Sequence, residues 1–118
     1  MKKYIYLSSW AFLLVSCDSN TYESIEEPIV TGALVTYDAD VRSIINENCT
    51  ACHSVGGPAS FRLLNTYAEV VSAMQNTDLV DRIQRQNGEP GQMPQTGRMP
   101  QEKINVILQW SDDGLLEN

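Results

Sequence analysis

Apolar positions form one continuous run near the start of the chain and fall into periodic patterns after it. Met1-Lys2-Lys3 gives a positive start, and Tyr4 to Val15 follows as an apolar stretch of about a dozen residues. That run is too short to span a bilayer as a mature helix, so residues 1–16 read as an export signal. From Asp18 to about Gly32 the chain is polar and acidic with no sustained apolar period, and residues 17–32 read as a tether. About fifteen flexible residues have a typical end-to-end distance of roughly 20 Å and a limit of about 50 Å.

Helical spacing takes over near Thr36. Val41, Ile44 and Ile45 fall at i, i+3 and i+4, on one face of an amphipathic helix. Asp38 or Asp40 is the expected cap of that helix, and Asn48 its end. Gly56-Gly57-Pro58 predicts a loop. Thr66-x-x-Glu69 has the form of a capping box ahead of Val70, Val71 and Met74, which predicts a helix from about Tyr67 to Gln75. Asn76-Thr77 break the pattern. A further short helix is expected from about Asp78 to Gln86, with Leu79, Val80 and Ile83 inward and Arg82 and Arg85 outward. Gly88, Pro90 and Gly91 then open a loop that carries Met93-Pro94 and Met99-Pro100. The last segment, Gln101 to Asp113, places Ile104, Ile107 and Leu108 on one stripe with Trp110 beside it. Pro100 suits a first-turn position of this helix and Gly114 its C-cap.

No segment has the alternation of a strand. The chain has 118 residues, so the expectation is an all-α domain of about four helices over residues 33–118.

Between the first two helices stands Cys49-Thr50-Ala51-Cys52-His53. The spacing C-x-x-C-H is the attachment signature of a c-type haem. Two thiols three positions apart lie on one side of a single turn, where both can add to the vinyl groups of one porphyrin as thioethers. The adjacent imidazole is then carried under the ring, as the proximal ligand of the iron. His53 is the only histidine of the chain. A thioredoxin-like dithiol needs a βαβ setting that this sequence lacks, and a zinc site needs a second Cys or His pair.

The third cysteine has its own setting. Leu14-Val15-Ser16-Cys17 resembles the bacterial lipobox, in which the cysteine receives diacylglycerol and becomes the new N-terminus. Two cysteines assigned to haem and one to lipid leave none for a disulfide, although an exported chain meets an oxidising compartment. The resulting expectation is a membrane-anchored lipoprotein facing the periplasm or cell exterior. More than one acyl chain suffices for stable anchoring.

Charge narrows the partners. The formal net charge is -7, and loss of Lys2 and Lys3 with the signal leaves six basic and fifteen acidic side chains, a net of -9. Such a surface argues against nucleic acid and against adsorption to anionic lipid.

With one histidine present, the sixth position of a bound iron falls to methionine, another weak donor, water, or nothing. Met74 sits in a helical apolar pattern and reads as core. Met93 lies in a Gly/Pro-rich loop with no helix face to fill, and is the favoured ligand. Met99, placed where a buried anchor is expected, and an open or otherwise ligated iron are the alternatives.

The order of helix, C-x-x-C-H, short helices, Met-Pro loop and C-terminal helix with tryptophan resembles the small monohaem c-type cytochromes of the class I cytochrome c fold. The resemblance runs from about Ala33 to Gly114, through Met93-Pro94, Gly97, Ile104, Ile107, Trp110 and Gly114. The sequence departs from the family at Gln95, where a second proline is common, and at Pro100, where a Ser or Thr cap is common. The resemblance implies helices packed around one covalently attached haem c, with the first and last helices crossing. It also implies His53/Met93 ligation, an exposed haem edge, and single-electron exchange with redox partner proteins such as a dehydrogenase, reductase or oxidase. Thioether ligation favours Fe(II), and a filled sixth position suits an electron carrier rather than an enzyme. Two other readings remain: a haem sensor or haem enzyme with an open sixth position, and a haem subunit docked to a larger redox enzyme. Arg62, Tyr67 and Arg98 are candidate partners for the haem carboxylates.

The lipobox reading makes its own prediction. Mass spectrometry is expected to find Cys17 as the acylated mature N-terminus, and Cys17→Ser to abolish acylation; an unacylated N-terminus at another residue contradicts it.

Overall fold

In a computed structural model of the chain, which describes residues 32–118, the first helix starts at Thr36 rather than at an aspartate. Thr36 is extended, and its Oγ1 accepts from Ala39 N at 3.4 Å. Asp40 Oδ2 accepts from Thr36 N at 2.9 Å in return. Asp38 and Asp40, expected as caps, instead occupy the first turn, where negative charge complements the helix dipole. Helix α1 opens as a π-helical stretch, Tyr37–Val41, and continues as an α-helix, Arg42–Asn48. Its buried residues are Val41, Ile44 and Ile45, as the spacing predicts, joined by Tyr37.

The capping box of α2, Tyr67–Asn76, forms as predicted. Glu69 N donates to Thr66 Oγ1 at 3.3 Å, and Glu69 Oε2 accepts from Thr66 N at 3.0 Å. Val70, Ala73 and Met74 face inward. Thr77 ends the helix by donating its hydroxyl to Ala73 O at 2.6 Å, and accepts from Leu79 N at 3.2 Å. That hydroxyl joins α2 to α3.

Helix α3, Leu79–Gln84, is shorter than expected because the backbone turns extended at Arg85. Ile83 is buried, while Leu79 and Val80 are half-buried. Arg82 and Arg85 do not point plainly outward; both are half-buried and reach toward the next loop.

Helix α4, Gln101–Asp112, buries Ile104, Ile107 and Trp110, three residues apart. Trp110 therefore belongs to the stripe, and Leu108 lies at its edge, half-buried. Pro100 takes the N-cap position, one place earlier than expected, where its carbonyl accepts from Lys103 N and Ile104 N. The helix ends in a Schellman motif: Gly114 N donates to Ser111 O at 3.2 Å and Leu115 N to Trp110 O at 2.9 Å.

The four helices pack around one core. At its centre Tyr37, Tyr67 and Trp110 meet with ring centroids 5.5–6.3 Å apart in edge-on and tilted arrangements. Trp110 Nε1 donates to Leu116 O and Tyr67 OH to Leu115 O, each at 2.7 Å. Among the described residues there is no strand, and no helix long and apolar enough to cross a membrane. The export signal, Cys17 and nearly all of the tether lie outside the described residues.

Ile104 is fully buried, so Ile104→Ala is expected to cost about 2–5 kcal/mol in urea unfolding followed by helical circular dichroism. Exposed Leu34, changed to Ala, is expected to stay within about 0.5 kcal/mol of the wild type.

Candidate functional site

Helix α1 delivers the chain into the cysteine motif, which follows as hydrogen-bonded turns. Cys49 N donates to Ile45 O at 2.8 Å, and His53 N to Cys49 O at 2.9 Å. Cys49 and His53 both line a cleft. Cys52 is exposed and lies outside that lining.

After His53 the chain folds back on itself. Ala59 N donates to Cys52 O at 3.0 Å, and Gly57 passes so close that a Cβ there would run into the Cys52 carbonyl. Only glycine fits. The turn brings the carbonyl of Arg62 to His53 Nδ1, at 2.8 Å. A carbonyl can only accept, so Nδ1 carries the proton and Nε2 keeps a free lone pair, the form in which imidazole binds a metal.

Burial pushes the Cys49 thiol up to about 11, so it stays protonated and weakly nucleophilic at neutral pH. Redox-active C-x-x-C pairs need the opposite shift.

The cleft has a volume of about 270 Å³ and is mainly apolar. Cys49 and His53 line one part of it, Phe61 and Leu64 the part formed by the following loop, Ala73 and Leu79 the part formed by α2 and α3, and Met93 and Pro94 the part formed by the loop before α4. Phe61 is 87% exposed despite its place there. The one histidine and one methionine therefore share a cavity. Met99 and Met74 do not line it; both are packed in the core, at 3% and 9% exposure.

Of the three side chains proposed for carboxylate binding, only Arg62 lines the cleft. Tyr67 is committed to Leu115 O and the aromatic cluster, and the Arg98 guanidinium bonds to Gln101. Arg82, assigned to the surface by its helical position, is the second arginine of the lining.

Sequence reasoning missed Gln92, the buried polar side chain of the described residues. Its Oε1 accepts from Gly88 N at 3.0 Å, and its Nε2 donates to Asn87 Oδ1 and Pro94 O, each at 3.1 Å. Asn87 Oδ1 also accepts from Arg98 N at 2.8 Å. The loop that presents Met93 is thus closed across its base by one amide. A glutamine among glycines and prolines reads as solvent-facing, and no local signal marks this one as buried.

Among the described residues no three His, Cys, Asp or Glu side chains gather as a site for a bare metal ion. Comparison with family models, curated proteins and solved structures returns no match to this chain.

Gln92→Leu removes the acceptor of the Gly88 amide and the link to Pro94. Exchange of the Gly88 amide, followed by NMR, is expected to quicken by about tenfold or more, while amides in the middle of α4 keep their protection.

Proposed function

We propose that the chain is an electron-transfer cytochrome of the small monohaem c-type class, carrying one covalently attached haem c. The observation that carries this reading is the sharing of one apolar cleft by Cys49, His53 and Met93. The donor set fits the group. An imidazole nitrogen and a thioether sulfur are the axial pair of an electron-transfer haem, and two thiols of one C-x-x-C-H motif suit its two vinyl groups. Bound there, the group supplies a single Fe(III)/Fe(II) couple.

The protein's own contribution follows from the geometry. The Arg62 carbonyl fixes the tautomer of His53 and the orientation of its ring. Leu64, Ala73 and Leu79 give the cleft an apolar wall, which would disfavour added charge on a bound iron and so supports a raised potential. Arg62 brings positive charge to a mainly apolar cleft, where haem carboxylates need partners; Arg82, also in the lining, is paired with Asp78. Met93 is a neutral, polarizable donor on a loop tied down by Gln92. With His53 and Met93 both holding it, a bound iron would keep no position for substrate, which favours a carrier over a sensor or an enzyme. Anchored through Cys17 and reaching across its tether, the domain would exchange single electrons with membrane or periplasmic redox proteins.

The test is spectroscopic. Denaturing gels stained for haem are expected to show a band at the protein mass that Cys49→Ala/Cys52→Ala lacks. Oxidised wild type is expected to show the weak red-end charge-transfer band of sulfur ligation, and reduced wild type to resist carbon monoxide. Met93→Ala should lose both properties and shift to lower potential, about 59 mV marking each tenfold change of a one-electron couple. Met99→Leu, a volume-conserving change in the core, should keep them. Free binding of carbon monoxide by wild type, unchanged in Met93→Ala, would overturn the reading.

A further inference from the structure

We propose that Arg82 and Arg85 form a clamp on the segment leading into Met93, and that this clamp positions the methionine sulfur. The inference rests on the reading of Met93 as an iron ligand.

Two Asp/Arg pairs, each four residues apart and staggered by three, run along and just ahead of α3. Asp78 Oδ1 holds Arg82 Nε at 2.8 Å, and Asp81 Oδ2 holds Arg85 Nε at 3.0 Å. Each aspartate fixes its guanidinium, and each guanidinium has an N–H left for the neighbouring loop. Arg85 Nη1 donates to Pro90 O, and Arg82 Nη1 to Gly91 O at 3.4 Å. The Arg82 backbone adds a third tie, its carbonyl accepting from Met93 N at 3.1 Å. Positions 90, 91 and 93 are therefore all held by Arg82 of α3 and by Arg85 at its C-cap.

Gly91 marks where the two guanidinium groups converge. Its φ is +79°, and a Cβ there would run into Arg85 Nη1 and come within 3.2 Å of Arg82 Nη1. The other two ion pairs among the described residues, Arg42–Asp38 and Lys103–Glu47, make no such contact with a loop carbonyl. Exposed pairs contribute little to global stability, so what sets the α3 pairs apart is what they hold. Asp78 and Arg82 also line the cleft beside Met93. A thioether binds iron weakly, and a ligand of that kind depends on a loop that presents it ready-placed.

The experiment uses haem-loaded protein: wild type, Met93→Ala, Arg82→Gln/Arg85→Gln, Gly91→Ala and, as a control pair away from the loop, Arg42→Gln. Three quantities are read: carbon monoxide uptake by the reduced form, the red-end sulfur band of the oxidised form, and exchange of the Met93 amide. Loss of the charged donors is expected to quicken both carbon monoxide uptake and Met93 amide exchange about tenfold and to weaken the sulfur band, with α4 amides unchanged. Gly91→Ala should do the same without altering a charge, and Arg42→Gln should do neither. The clamp is overturned if the double variant keeps wild-type uptake and Met93 protection, or if protection falls equally in α4, which would mark general destabilisation. Equal uptake by wild type and Met93→Ala is a separate result: it removes the ligand reading itself, and the clamp's role at the sixth position with it.

Discussion

The return of the C-terminal tail onto the start of α1 is the contact on which the remaining structure depends. The first amides of a helix have no partner within it, and here Tyr37 N donates to Leu116 O at 2.9 Å and Asp38 N to Glu117 O at 3.0 Å. Asp113 Oδ2 accepts from Val35 N at 2.8 Å on the same side. Trp110 and Tyr67 hold the tail from within by donating to the carbonyls of Leu116 and Leu115. The aromatic cluster is therefore a polar lock as well as an apolar core, because the Trp110 N–H and the Tyr67 O–H are satisfied by the strip of backbone that closes the fold. With its start fixed against α4, α1 has one direction in which to run, and Cys49 and His53 are carried to the cleft at its far end.

That arrangement separates stability from chemistry. The core residues Tyr37, Ile45, Ile104, Ile107 and Trp110 gather around the crossing of α1 and α4, while the cleft is lined mostly by half-buried and exposed side chains and shares only Leu64 and Ala73 with the core. A domain of this size buries a modest share of its surface, and an apolar cleft open to water forgoes more. Burial of a flat apolar group between His53 and Met93 would recover that surface, so occupation of the cleft and consolidation of the fold are coupled. The three methionines of the described residues divide along the same line: Met74 and Met99 fill gaps in the core, and Met93 alone is left beside the cleft.

The helices were legible in the sequence where short-range physics decides them. Thr66 and Glu69 sit three apart and cap each other, and Ile104 and Ile107 share a face for the same reason of pitch. The misplaced details lie where a partner far along the chain decides. Asp38 and Asp40 are good caps by type, but Tyr37 N and Asp38 N find acceptors nearly eighty residues away, and the helix starts two to four residues earlier, at Thr36. Trp110 joined the buried stripe because its indole N–H has a carbonyl to meet in the returning tail. Arg82 and Arg85 follow the helical period outward, yet their long side chains bend to carbonyls of the next loop, a choice that periodicity does not encode.

The loop around Met93 shows the same limit most sharply. Proline stiffens a backbone locally, and Gln95, standing where the resemblance leads one to expect proline, reads as a loss of stiffness. The restraint lies instead in Gln92, whose one amide meets Gly88, Asn87 and Pro94. A buried amide with all three of these bonds made holds a loop as firmly as a fixed φ does. It does so through partners that exist only after the loop has closed. Composition can show that a methionine lies in an irregular segment; only the closed hydrogen-bond network shows that the segment is held in place.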